Sequence, residues 1–169
     1  MEGDRAMALA DQKQPVTQEG DWGVLLLAHG APDRLEDIPQ FLLNVRAGRP
    51  LPDAVVREIA HRYSLIGGGS PLLRLTNLQA QALARTLAHP VYVGMRNWKP
   101  FISETVRRLN LDGVKNIVTL CLAPQNSRTS IGLYRQHLLE AIQKHAPRLP
   151  VSFIESWHDH PLLIAAFGE

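Results

Sequence analysis

At 169 residues the chain is long enough for one domain with a real core and too short for two of ordinary size. Its formal net charge is only +2 and its lysines and arginines are scattered rather than run together, which argues against a nucleic-acid platform and leaves acidic small molecules as partners. A single cysteine, Cys121, excludes an internal disulfide and a thiolate metal cluster.

Residues 1–20 are polar and acidic with no apolar stretch, so they read as a disordered tail rather than a signal peptide, and the folded domain is expected over 21–169. No apolar run approaches the roughly 20 residues of a membrane helix, which makes the cytoplasm the expected compartment. WGVLLLAHG (22–30) is a short apolar run ending at glycine, the mark of a strand buried on both faces. Helical spacing follows in RLEDIPQFLLNVRAG, with Ile38, Phe41, Leu42 and Val45 on one side and a stop at Gly48. LPDAVVREIAHRYSLIG enters a second helix at Pro52 and Asp53 and aligns Val56, Ile59, Ala60 and Tyr63. A third, PLLRLTNLQAQALARTLAH, is expected to turn Leu72, Leu75, Leu78, Ala82 and Leu83 inward. From there strand and helix alternate: PVYVGMR, KPFISETVRRLNLDG, VKNIVTLCLAP, TSIGLYRQHLLEAIQKHA, VSFIES, and finally HPLLIAAFGE, which opens a last helix.

That rhythm predicts an α/β fold: a Rossmann-like, four-stranded parallel sheet with helices on both faces and right-handed crossovers. The departure from it is a helical insertion after strand 1, about 60 residues and three helices where a crossover needs one. Ligands of such sheets bind at the carboxyl ends of the strands, near the topological switch point. The insertion is therefore expected to wall a cleft.

Within the insertion lies HRYSLIGGGSPLLRLT (61–76), and three successive glycines cost entropy that a mere connector need not spend. The stretch follows a helix, not a strand. The chain has no GxGxxG after its first strand, no GxxxxGK[ST], no GxSxG and no HExxH, so dinucleotide, P-loop, serine-hydrolase and zinc-peptidase readings find no support. The strand ends instead bring His29, Arg96, Asn97, Trp98, Gln125, Ser127, Arg128 and Trp157 toward one rim. At the end of strand 1, the imidazole of His29 can ligate a metal or move a proton near neutral pH, or simply hydrogen-bond the loop backbone. His158 and His160 have chelating spacing but equally suit a solvated loop. His61, His89, His137 and His145 read as surface or capping residues. Arg46 and Arg49 close the first inserted helix, and Arg62 closes the second beside Tyr63. Guanidinium forks suit carboxylates and an aromatic suits a flat apolar body, although helix-terminal arginines also complement the helix dipole. Cys121 reads as a buried small residue or, less simply, a reactive thiol.

Together VLLLAHGAPDRLEDIPQFLLNVRAGRP, HRYSLIGGGSPL, VYVGMRNWKPFISETV, LAPQNSRTSIGLY and ESWHDHP resemble, in order and spacing, the amino-terminal half of ferrochelatase, from about Trp22 to Glu169. The resemblance implies a chelatase-type, Rossmann-like fold and a lyase of haem biosynthesis that inserts Fe2+ into a porphyrin, protoporphyrin IX or coproporphyrin III. It implies substrate contacts at Arg46, Arg62, Tyr63, Ser70 and Tyr134: arginines for the propionates, hydroxyls for further hydrogen bonds, and glycine backbone lying against the flat ring. His29 falls where one branch carries a tyrosine axial to porphyrin iron, making it both a substrate-binding and a metal-ligating residue. Arg96 and Asn97 stand where that branch has a lysine–histidine pair. No cofactor is implied, Fe2+ being a substrate, and the partners implied are porphyrin and iron, with no nucleic acid. Nothing here matches the family's S-x-H motif or its later glutamate, so no catalytic residue is expected within 21–169. The chain then reads as the porphyrin wall of a larger enzyme, which meets a second half or self-associates across the face that half would cover; membrane contact stays open. Two other readings remain: a half-size chelatase completed by homodimerisation with His29 as metal ligand, and a non-catalytic porphyrin- or haem-binding module.

Overall fold

Strand β1 (Trp22–Ala28) is buried along nearly its whole length, as an uninterrupted apolar run in a parallel sheet should be. The computed structural model describes residues 21–127 and 130–168; the expected tail over 1–20 and the rim residue Arg128 lie outside the described residues. Three further strands, β2 (Val91–Met95), β3 (Asn116–Cys121) and β4 (Val151–Ile154), join β1 in one sheet of order β2-β1-β3-β4. Every pairing is parallel, with Leu26 opposite Val93 on one side and Leu120 on the other. The expected α/β, four-stranded parallel architecture is what the molecule has.

The helices are α1 (Ile38–Val45), preceded by a 3-10 turn at Leu35–Asp37, then α2 (Asp53–Ser64), α3 (Leu72–Leu87), α4 (Ile102–Leu111), α5 (Ile131–His145) and α6 (Pro161–Gly168). Alternate residues of β1 serve two cores. Leu25 and Leu27 meet Val106, Leu109 and Leu138 from α4 and α5. Val24, Leu26 and Ala28 meet Ala80 of α3 and β2 residues Val93 and Met95. Each fully buried leucine contributes about 1.5–3 kcal/mol relative to exposure. The chain steps from β1 to β2 in one direction and from β1's other flank to β3 and β4 in the opposite one. Crossovers of one hand running in opposite directions put helices on opposite faces of the sheet.

One helix face departs from expectation. In α3 the buried residues are Thr76 and Ala80, flanked by half-buried Leu72, Leu73 and Leu83, while Leu75 and Leu78 are 46% and 49% exposed. Of the expected inward face, Leu72 and Leu83 are half-buried, and Leu83 packs with Leu73 against the sheet core, whereas Leu75, Leu78 and Ala82 point outward. In α2 the predicted face holds: Val56, Ile59, Ala60 and Tyr63 are its half-buried residues. At the other end of the chain, α6 leaves Leu162, Ile164 and Phe167 exposed.

Thr119 is fully buried on β3, on the face of Ile117 and Cys121, and its Oγ1 has no hydrogen-bond partner among the described residues. A desolvated, unpaired hydroxyl opposes folding. Thr119→Val keeps the shape and removes the hydroxyl, so it is expected to raise stability by about 1 kcal/mol in urea unfolding; a lower midpoint would mean that the hydroxyl is satisfied.

Candidate functional site

The strand order reverses between β1 and β3, and in open parallel α/β sheets the loops leaving the carboxyl ends at such a switch point are where ligands bind. The loop after β1 begins at His29 and the loop after β3 at Leu122, whose N–H donates to Leu27 O at 2.8 Å. The insertion folds back over this same end. Ser70 N donates to Pro32 O at 3.0 Å, a Cβ on Gly68 would lie 3.6 Å from Leu35 Cγ, and Asn44 Nδ2 of α1 donates to Asn97 O at 3.0 Å.

His29 is exposed at the tip of β1. Its Nδ1 lies 2.9 Å from Gly30 O. A carbonyl only accepts, so Nδ1 carries the proton and, in the neutral ring, Nε2 keeps its lone pair. The ring meets Phe41 edge-on with centroids 6.0 Å apart, and Phe41 meets Trp98 in the same way at 6.2 Å. Trp98 Nε1 in turn donates to Asp33 Oδ2 at 3.2 Å. Gly30 has φ +83°, and a Cβ there would lie 2.7 Å from Trp98 N, so glycine is required at this turn.

The remaining expected contact residues sit around this end in different states. Arg46 follows α1, is exposed, and is braced by its Nε on Arg49 O at 3.2 Å. Arg62 is exposed on the last turn of α2, paired to Glu58 at 3.0 Å, a surface pair that a ligand carboxylate can displace at little cost. Tyr63 beside it is half-buried, and burial raises its phenol above the ordinary value. Ser70 Oγ accepts from Leu72 N at 3.2 Å, capping α3, while its hydroxyl hydrogen remains to donate.

Tyr134 lies deeper, 4% exposed in the first turn of α5. The Arg96 guanidinium stands 5.0 Å above its ring, a cation–π contact. Arg96 Nε and Nη1 are buried without hydrogen-bond partners among the described residues. Desolvation pushes the Tyr134 phenol up to about 12, with the nearby Cys121 adding to the rise and Arg96 opposing it. Cys121 is 2% exposed and its thiol is also raised by burial, so it is a core residue. Arg96 also lines a groove of about 510 Å³ with Asn44, Phe101, His137 and Lys144.

Several rim residues turn out to be internal. Asn97 and Trp98 are 4% and 7% exposed. Trp157 Nε1 donates to Cys121 O at 2.8 Å. His158 and His160 do not converge: His158 Nδ1 meets Ser156 Oγ at 2.6 Å, and His160 Nδ1 accepts from Leu162 N at the start of α6. His89 stacks on Trp22 and His145 bonds Ser103 Oγ. No group of three or more His, Cys, Asp or Glu side chains with metal-holding geometry occurs among the described residues. The sequence reading missed Asn44, whose polar side chain on the inward side of α1, one turn after Phe41, is the signal that could have found it.

The fold defines a doubly wound parallel α/β domain with its switch point between β1 and β3 and a helical wall beside it. Comparison with known proteins narrows this. The family model described as Ferrochelatase matches residues 21–169, and the chain belongs to that family. It is 52% identical over 147 residues to a ferrochelatase of Acidobacterium capsulatum, covering 86% of this chain and 44% of that protein. It is 34% identical over 159 residues to a ferrochelatase of Deinococcus radiodurans, covering 91% and 50%. It is also 34% identical over 155 residues to the coproporphyrin III ferrochelatase of Geobacillus thermodenitrificans, covering 87% and 48%. The chain thus spans about half the length of the curated relatives it matches.

Proposed function

We propose that this chain forms one wall of the porphyrin site of a ferrochelatase, a lyase that inserts Fe2+ into protoporphyrin IX or coproporphyrin III in haem biosynthesis. The observation that carries the reading is His29. An exposed imidazole stands at the switch point with Nδ1 tied to Gly30 and Nε2 free to meet porphyrin iron. Arg46 and Arg62 are exposed cations able to hold propionates, and Ser70 retains a hydroxyl hydrogen to donate. Tyr63 and Tyr134 remain neutral phenols at ordinary pH, suited to hydrogen bonding and to contact with a flat ring. Metalation exchanges two pyrrole protons for one Fe2+, and the base that takes those protons is not assigned to any residue described here. The reading needs no cofactor and puts the work in the cytoplasm; no described helix is long and apolar enough to cross a membrane.

The test is a titration with iron coproporphyrin III, followed in the porphyrin absorption bands, for the parent and for His29→Ala and Arg62→Ala. The parent is expected to show an imidazole-ligated spectrum that His29→Ala loses, and Arg62→Ala to weaken binding about three- to tenfold without changing the spectrum. Parent and His29→Ala spectra that coincide would remove His29 from the site. The same titration with iron protoporphyrin IX compares the two substrates, because coproporphyrin brings four carboxylates to the arginines and protoporphyrin two.

A further inference from the structure

We infer that Asn97 is a positioning residue for the His29 imidazole, an inference that rests on His29 being the iron ligand. The backbone N–H of Asn97 donates to His29 O at 2.9 Å, and its side-chain Nδ2 donates to the same oxygen at 3.1 Å. One carbonyl therefore takes both of its bonds from one residue. Strand pairing ends one residue earlier, with Arg96 N on Ala28 O at 3.0 Å, so His29 lies just past the regular ladder, where among the described residues its carbonyl has no donor besides Asn97. Asn97 is itself immobilised. It is 4% exposed, and its own carbonyl accepts the Asn44 amide from α1.

Two donors on one carbonyl fix the orientation of the peptide plane that follows Cα of residue 29. The next peptide oxygen, Gly30 O, is the one that takes the Nδ1 proton and leaves Nε2 as the ligating nitrogen. A freed His29 peptide would let the ring choose either tautomer and several rotamers, of which one presents Nε2 to the switch point. Asn97 thereby acts on ligation without touching the porphyrin. The residue type matters: an aspartate has the same shape and no N–H, so it would turn the second bond into a carboxylate–carbonyl repulsion.

The experiment is a double-mutant cycle read by iron coproporphyrin III binding to the 169-residue chain, using Asn97→Asp in the parent and in the His29→Ala background. In the parent, Asn97→Asp is expected to lower affinity about three- to tenfold and to reduce the imidazole-ligated fraction of the spectrum. In the His29→Ala background it is expected to change neither. Equal losses in both backgrounds would show a merely structural role and overturn the inference while leaving His29 in place. A parent spectrum unaffected by His29→Ala would overturn the underlying reading, and this inference with it. Should Asn97→Asp fail to fold, Asn44→Ala, which loosens Asn97 from the α1 side, takes its place; an unchanged ligated fraction in that variant counts against the inference.

Discussion

Gly69→Ala is expected to destabilise the chain by about 3 kcal/mol or more, far beyond what a glycine-to-alanine change in a loop usually does. The cause is contact within the chain. A Cβ on Gly69 would run into the carbonyl oxygen of Asp33 and lie 2.7 Å from its carbonyl carbon. Both are backbone atoms, so no side-chain rotamer relieves the clash. Nor can the Asp33 peptide retreat freely: the preceding carbonyl, Pro32 O, accepts Ser70 N at 3.0 Å, and the Asp33 carboxylate accepts Trp98 Nε1 at 3.2 Å. Gly67 is the control, since its φ of +95° disfavours alanine but its surroundings are open. Gly67→Ala should cost only about 1–2 kcal/mol. Urea midpoints of both variants decide the matter. Midpoints equal to the parent's, with porphyrin binding lost, would mean that the glycines serve the ligand alone.

That contrast marks where the sequence was legible. Hydrophobic periodicity located every strand and helix among the described residues, because a strand buried on both faces and an amphipathic helix each leave a local pattern. It misjudged part of the face of α3, where Thr76 and Ala80 with Leu73 and Leu83 meet the sheet and Leu75 and Leu78 do not, because packing distance is a property of the partner surface. The triple glycine stood out by composition, yet its reason did not: Gly67 and Gly68 are in the left-handed region, and Gly69 approaches a loop more than thirty residues away in sequence. The proposed site divides in the same way. His29 and the arginines are candidates because of the strand and helix ends they occupy, which the sequence shows. Asn97 looked like one more polar rim residue; its burial and its two hydrogen bonds to the His29 carbonyl distinguish it from Gln125 and Ser127, which are exposed.

Tyr134→Phe is expected to flatten the loss of stability at alkaline pH. An unfolded tyrosine ionises near 10, whereas burial beside Cys121 pushes the folded phenol up to about 12 despite the opposing Arg96. Below about 10 both states hold the proton and the neutral ring's burial counts in full. Between about 10 and about 12 the unfolded chain releases a proton that the folded chain retains, so ionisation favours unfolding and stability falls as pH rises. The gap corresponds to roughly 2–3 kcal/mol. The phenylalanine variant lacks this proton and should lose about that much less over the same interval, while the Cys121 thiol, also raised by burial, contributes equally to both chains. Urea midpoints at several pH values, with tyrosinate absorbance followed in parallel, measure the difference. Parallel curves would mean that water reaches the hydroxyl in the folded chain. The same burial limits what Tyr134 can do at the switch point. With its proton held well past neutral pH, it offers a ligand at this end of the sheet a neutral hydroxyl.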